Sequence, residues 1–259
     1  MSNDKQGHSK PAKVQGAAAV TKGLRLLQVI SELGSDANVR KLQQRSELPR
    51  PTLYRLLNTL EQEGFIERNP VGGEYVLGRQ VLRLAQKSIS HTSLQSRLRG
   101  TLQAVGKATG ETVHLAVPYG CHMTFIDKVE STETVRMASY IGMPVPMHSS
   151  SVGKAYLAAL NELECEQYLA KLNLDPVTDK TITSLDTLQE ELRLTRDRGY
   201  AVSNEENEHE IVCFGRAIFT TDGRPAGAIS VSVPRYRLCE KVKRCAIESL
   251  FELIENAEL

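Results

Sequence analysis

Between residues 20 and 33, apolar side chains return every three or four positions: Val20, Leu24, Leu27, Ile30 and Leu33. That period predicts a helix with one apolar face. Gly34, Ser35, Asp36, Ala37 and Asn38 end it. Residues 39–46 predict a short second helix, with Val39 and Leu42 inward and Arg40, Lys41 and Arg45 outward. A turn follows at Glu47-Leu48-Pro49-Arg50-Pro51, where Pro51 suits the first turn of the next helix but not its interior. Residues 52–63 predict a third helix, with Leu53, Leu56, Leu57 and Leu60 as its buried stripe and Gly64 at its end. Residues 65–68 and 74–77 alternate around a Gly/Pro-rich turn and predict a hairpin. Three short helices and a hairpin make a winged helix-turn-helix. Residues 78–91 are amphipathic, with Val81, Leu82, Leu84 and Ala85 on one side. They form a linker helix that helps dimerise, or a helix packed on the next domain.

Beyond residue 93 the pattern turns mixed. Helices are predicted at 94–109, 152–160, 162–171, 185–198 and 238–254, the fourth ended by Gly199. Strands are predicted at 112–118, 123–129, 135–141, 201–203, 211–219 and 226–233, with Asp222-Gly223 as a tight turn. Pro144 and Pro146 are expected to interrupt the sheet with a loop running to His148. The expected class is α+β, an antiparallel sheet flanked by helices.

Composition agrees with a folded, soluble chain: 259 residues, 41% hydrophobic and 24% charged, which excludes whole-chain disorder. No apolar run approaches the ~18–20 residues that span a bilayer, so no membrane partner is expected. The first 16 residues lack the apolar core of a signal peptide and are expected to form a disordered tail, taken as residues 1–19. Cys121, Cys165, Cys213, Cys239 and Cys245 are odd in number and widely spaced, which argues against disulfides and for the cytosol. The formal charge of +1 hides a split. Residues 1–100 carry 16 basic and 8 acidic side chains, a net of +8, which leaves −7 for residues 101–259. A basic half suggests contact with a polyanion.

Within that half the third helix exposes Arg50, Thr52, Tyr54, Arg55 and Asn58, with Arg40 outward on the second helix and Arg68 at the hairpin. Arg pairs bidentately with guanine, Asn with adenine, and hydroxyls reach phosphate. On the residues alone these are a DNA-reading face or an ordinary solvated one.

The acidic half has three segments of interest. Ser149-Ser150-Ser151-Val152-Gly153-Lys154 puts hydroxyls before a glycine at a helix start, either a plain N-cap cluster or an anion site; it lacks the spacing of a nucleotide-binding phosphate loop. Strand alternation puts Ile211, Cys213 and Gly215 on one face, where Cys213 is a core thiol or leaves room for a ligand, with Phe214 and Arg216 on the other. Ser230 and Ser232 share a face of an otherwise apolar strand and need partners if buried. No catalytic constellation, metal site or cofactor motif is found. The histidines are scattered, and Glu205-Glu206-Asn207-Glu208-His209-Glu210 reads as a solvated loop.

The chain resembles the IclR family of bacterial transcriptional regulators. The first half carries the resemblance in Gly23-Leu24-Arg25-Leu26-Leu27, Leu48-Pro49-Arg50-Pro51-Thr52-Leu53-Tyr54-Arg55-Leu56-Leu57, Gly64-Phe65-Ile66 and Gly73-Glu74-Tyr75-Val76-Leu77-Gly78. The second half carries it in Thr109 to Leu115, Ile141-Gly142, Pro146-Met147-His148, Gly153-Lys154-Ala155, Gly199-Tyr200-Ala201, Glu205-Glu206-Asn207, Cys213 and Ala228 to Ser232. The resemblance implies a dimer or tetramer that reads double-stranded operator DNA through residues 20–78, a linker helix at 79–92, and a GAF-like effector-binding domain at 93–259. It implies a small organic acid as effector, contacted by Ser150, Ser151, Val152, Gly153, Ser203, Ile211, Cys213, Ser230 and Ser232. Repression is the expected sense of control. Two departures stand out. A common family pattern reads Lys-Ser-Thr-Val-His-Arg where Arg50-Pro51-Thr52-Leu53-Tyr54-Arg55 stands, so Pro51 removes a hydroxyl and a backbone donor. A frequent family form is also acidic at Ser203. Two rivals remain: a small-molecule enzyme or sensor whose basic half makes protein contacts only, and a nonspecific architectural DNA binder.

Overall fold

The computed structural model describes residues 17–90, 93–134 and 137–255. The chain divides between residues 91 and 92 into two compact units. Most of the expected tail, residues 1–16, lies outside the described residues, whereas Ala18 and Ala19 already belong to the first helix.

The first unit runs α1 (Ala18–Leu33), α2 (Val39–Ser46), α3 (Arg50–Gln62), β1 (Ile66–Arg68), β2 (Tyr75–Leu77) and α4 (Arg79–Ser90), with β1 and β2 antiparallel. Its core joins Leu26, Ile30, Leu42, Leu53, Leu57, Ile66 and Tyr75. Asn38 caps α2 by accepting from the Lys41 amide at 3.0 Å. α3 starts at Arg50, two residues before the expected start, because Pro51 falls in the first turn, where a missing N–H costs nothing. Gly64, at φ +72°, lets the chain leave α3 in a left-handed turn. One expected face is offset. α1 buries Gly23, Leu26, Val29 and Ile30, while Val20 and Leu24 are exposed. The helix carries apolar side chains on both sides: of the expected ladder, Ile30 enters the core and Leu27 and Leu33 pack against it, while its first two members, Val20 and Leu24, lie outside.

The second unit is a six-stranded antiparallel sheet in the order β5-β4-β3-β8-β7-β6. Its strands are β3 (Thr112–Tyr119), β4 (His122–Val129), β5 (Pro144–Pro146), β6 (Ala201–Asn204), β7 (Ile211–Phe219) and β8 (Pro225–Pro234). α5 (Ser93–Thr109) and α9 (Glu240–Glu255) cover one face through Leu98, Leu102, Val105, Phe214, Val231, Ala246 and Leu250. α6 (Ser151–Ala159), α7 (Glu162–Leu169) and α8 (Leu185–Arg198) cover the other, with Val152, Ala155, Leu157, Leu188 and Leu192 inward.

The strand expected at 135–141 does not form over residues 137–141; residues 135 and 136 lie outside the described residues. Lys128 pins that segment instead, its Nζ donating to the carbonyls of Met137 (3.0 Å) and Ser139 (2.8 Å). The edge strand is Pro144–Pro146, expected to be a loop, with Val145 opposite Met123. Two prolines are tolerated because an edge strand leaves one row of backbone groups unpaired.

Strand register gathers the polar residues of the sheet. His114 lies opposite Ser230, Thr112 opposite Ser232, Cys213 opposite Ser232, and Gly215 opposite Ser230. The three central strands thus bring these residues to the face that α6 covers. α6 starts directly over Gly215, where an added Cβ would lie 2.6 Å from the Ser151 carbonyl oxygen.

Candidate functional site

In the first unit, Arg50, Tyr54 and Asn58 follow at four-residue intervals on α3 and so share one face. All three are exposed, as are Arg55, Arg40 and Arg68, while Thr52 is half-buried. Among the described residues, no carboxylate pairs with Arg40, Arg50 or Arg55. Neighbouring cations behave differently: Arg45 pairs with Glu32 at 2.6 Å and Lys41 with Asp36 at 2.8 Å. Arg68 lies over the Tyr75 ring, 5.9 Å from its centroid. The α3 face therefore holds uncompensated positive charge beside a tyrosine hydroxyl and a carboxamide. That combination suits a nucleic-acid groove.

In the second unit, a cavity of about 280 Å³ opens between the sheet and the start of α6. Ser150, Ser151, Val152, Ser203, Ile211, Cys213, Ser230 and Ser232 all line it. Gly153 does not. Its amide donates to the capping Ser150 hydroxyl at 3.2 Å, and its bare Cα lets the Met147 backbone approach, where a Cβ would lie 2.4 Å from the Met147 carbonyl oxygen. The glycine shapes the helix start rather than the cavity wall.

The serines divide by partner. Ser150 donates to the Pro146 carbonyl at 2.6 Å, and Ser203 to the Ser149 carbonyl at 2.7 Å. Ser151 and Ser230 are 2% and 3% exposed, and neither hydroxyl has a partner among the described residues. The N–H groups of Ser151 and Val152, in the first turn of α6, also lack one. They sit at the positive end of the helix dipole. Phe125, Met143, Val145 and Ile211 supply the apolar part of the wall.

Sequence reasoning missed His114, Phe125, Ser139, Met143, Asn207 and Glu208, all of which line the cavity. Strand alternation alone places His114 on the Thr112 face; the other residues arrive through register and loops, which carry no periodic signal. The His114 ring stacks on Phe125, centroids 4.3 Å apart. Its Nε2 lies 2.7 Å from the Ser139 hydroxyl, and its Nδ1 3.4 Å from the Ser232 hydroxyl, to which the Cys213 thiol donates at 3.2 Å. This line of thiol, hydroxyl and imidazole is not a nucleophile with its base. Burial, aided by the nearby Lys128 charge, drops the His114 pKa to about 3. Burial pushes the Cys213 thiol up to about 11. With the thiol held protonated and the imidazole only weakly basic, this line forms a polar part of the cavity wall. Arg216, on the opposite strand face, donates to the Leu250 and Phe251 carbonyls and stacks on Phe251, away from the cavity.

The buried imidazole has a measurable consequence. Its folded pKa lies below the unfolded value of about 6.5, so the unfolded chain binds the proton first. Its contribution is intact above about pH 6.5 and falls by up to ~1.4 kcal/mol per pH unit as pH drops toward 3. Denaturant titrations between pH 7 and 5 are expected to show this loss in the wild type and a shallower slope in His114→Gln. Equal slopes would refute it.

Among the described residues no group of His, Cys, Asp and Glu is placed to hold a metal ion, and no helix is long and apolar enough to cross a membrane. Comparison with known proteins bears on both units. The IclR helix-turn-helix domain matches residues 19–70, and the bacterial transcriptional regulator IclR C-terminal domain matches residues 86–257. The chain is 33% identical to the transcriptional repressor IclR of Escherichia coli K12 over 224 residues, 86% of this chain and 82% of that one. It is 30% identical to the E. coli K12 transcriptional repressor AllR over 234 residues, 90% of this chain and 86% of that one. The crystal structure of Thermotoga maritima IclR superposes with a TM-score of 0.79 at 32% identity, covering 91% of this chain and 95% of that one.

Proposed function

Because the chain belongs to the IclR family of bacterial transcriptional regulators, DNA-binding proteins rather than enzymes, we propose that it is an operator-binding repressor controlled by a small organic acid. Residues 20–78 form the DNA-reading domain, 79–92 a linker helix, and 93–259 a GAF-like effector domain. Arg50, Thr52, Tyr54, Arg55 and Asn58 meet base edges and phosphates in the major groove, and Arg40 and Arg68 meet the flanking backbone. The protein works in the cytoplasm as a homodimer or homotetramer, which suits paired half-sites on an operator.

One observation carries the effector reading. The buried floor of the cavity presents two hydroxyls, Ser151 and Ser230, that have no partner among the described residues, beside the free N–H groups at the start of α6. Both serines line the cavity, where a ligand can take up their free donors. A carboxylate satisfies all of them at once and faces the positive helix end. Among the described residues no lysine or arginine lines the cavity, and the donors on its wall are neutral. The cavity is close to the lower end of ligand-pocket volumes, about 300 Å³, which fits a small acid.

The experiment is a thermal-shift screen of small carboxylic acids against the full chain, followed by DNA-binding titrations with each hit. A ligand at about 100 times its Kd stabilises the fold by roughly 2.7 kcal/mol. Ser230→Ala is expected to weaken that acid by ~1.5–3 kcal/mol, the range for hydrogen bonds to charged groups, with unchanged unliganded stability. Acid and operator are expected to alter each other's affinity by one common factor. A complete screen without a single stabilising acid, or hits indifferent to Ser230→Ala, would defeat the reading.

A further inference from the structure

Glu205-Glu206-Asn207-Glu208-His209-Glu210 joins β6 to β7 and forms one rim of the cavity. Its carboxylates differ sharply in surroundings. Glu205 pairs with Lys180 at 2.6 Å. Glu206 is held by the buried Lys154 ammonium, at 2.7 and 2.8 Å from its two oxygens. Glu208 has no ion-pair or side-chain hydrogen-bond partner among the described residues, and it lines the cavity. Of the other ionisable groups there, His114 is neutral and Cys213 protonated at neutral pH. Among the described residues, Glu208 is thus the wall residue that brings charge. It is solvent-exposed, which puts it at the mouth, while Ser151 and Ser230 are buried and form the floor. Partial desolvation there raises its carboxyl above the usual carboxylate value.

The loop is braced. Thr178 donates to the Glu205 carbonyl and Thr181 to the Glu206 carbonyl, each at 2.7 Å. Beyond Glu208, the Arg235 amide donates to the Glu210 carbonyl at 2.7 Å. Glu205 and Glu210 both take left-handed backbone, with φ of 63° and 61°, and bracket the turn that presents Glu208. A carboxylate with no partner among the described residues is therefore held over a cavity whose floor presents the Ser151 and Ser230 hydroxyls and the first N–H groups of α6.

We infer that Glu208 selects the second end of the effector: the cavity takes a monocarboxylic acid whose far end carries a hydroxyl or amino donor, and it rejects the diacid of equal length. The inference rests on the organic-acid reading above. The floor donors take the acid group, and the mouth carboxylate accepts from the donor. A second carboxylate at the mouth would face Glu208 with like charge, and such juxtapositions are strongly unfavourable at interfaces.

The test is calorimetric titration of the full chain, wild type and Glu208→Gln, with length-matched probes: glycolate against oxalate, hydroxypropanoate against malonate, hydroxybutanoate against succinate, and hydroxymethylbenzoate against terephthalate. Acetate, propanoate, butanoate and benzoate serve as plain acids. In at least one pair the wild type is expected to bind the hydroxy acid about tenfold or more tightly than the diacid. Glu208→Gln closes that gap, chiefly by admitting the diacid. Equal wild-type affinities within every pair, or a gap that survives in Glu208→Gln, would overturn the role of Glu208 while leaving the organic-acid reading standing. Failure of every acid to bind would overturn both.

Discussion

Lys154→Met is expected to lower the stability of the second unit by ~3–5 kcal/mol, the cost of removing one partner from a buried ion pair. Lys154 has no solvent exposure, and its ammonium meets both Glu206 oxygens and, at 3.4 Å, a Glu191 oxygen. Glu191 keeps a second partner, Arg198 at 2.6 Å, so it survives the substitution. Glu206 does not. Its side chain is mostly buried, and its remaining contact is the Asn204 amide at 3.1 Å. Charge left there is uncompensated. For a unit of this size, each kcal/mol moves Tm by ~2–4 °C, so the melting transition falls by roughly 10 °C. The double variant Lys154→Met/Glu206→Met removes both charges and is expected to recover most of the loss. Urea unfolding of the four proteins of that cycle decides the matter. A single-variant cost below ~1 kcal/mol, or no recovery in the double, would show that the pair does not hold the helix to the loop. Lys154 lies one turn past Ser150, and Glu206 directly precedes Asn207, so the same charge joins two walls of the cavity.

Arg50→Ala/Arg55→Ala is expected to weaken operator binding by ~2–6 kcal/mol, on the basis of ~1–3 kcal/mol for each lost arginine contact to a base. Folding is expected to be unaffected, because both guanidinium groups are exposed and neither pairs with a carboxylate among the described residues. If one of the two lost contacts is to phosphate, the plot of log affinity against log salt becomes shallower by about one unit. Arg45→Ala is the matched control, since Arg45 is spent on Glu32 and lies on a different helix. The measurement is fluorescence anisotropy on a DNA site selected by the wild type from a random pool, at several salt concentrations. Wild-type affinity in the double variant would remove α3 as the reading helix, and equal losses in the Arg45 control would reduce the effect to bulk charge.

The helices, most strands, the winged helix-turn-helix and the α+β class were legible in the sequence, because each rests on a repeat of two or three to four positions. Such repeats survive in one dimension. The outer position of Val20 and Leu24 on α1 was not legible, since Val20-Leu24 and Leu26-Ile30 are equally apolar. The segment at 135–141 reads as a strand, yet within 137–141 Lys128 takes the Met137 and Ser139 carbonyls. A side chain arriving from a neighbouring strand leaves no local trace. Gly153 stands in the right segment for a ligand, but its role is room for the Met147 backbone.

The sequence by itself determined that Ser230 and Ser232 share a strand face, that Cys213 opposes Phe214 and Arg216 on its strand, and that Ser150 can open a helix. Each follows from backbone geometry within one element. Only the tertiary structure decided that these faces meet. Strand register set His114 and Gly215 beside Ser230, and the glycine let α6 descend until its free N–H groups faced the same space. The acidic run from Glu205 to Glu210 shows the difference most plainly. Along the chain its carboxylates look alike, because charge has no period to sort them. In the fold, Lys180 and Lys154 neutralise Glu205 and Glu206, and Glu208 stands at the mouth with no partner among the described residues. What a carboxylate does depends on the charges and solvent around it, and those come from residues far away in sequence.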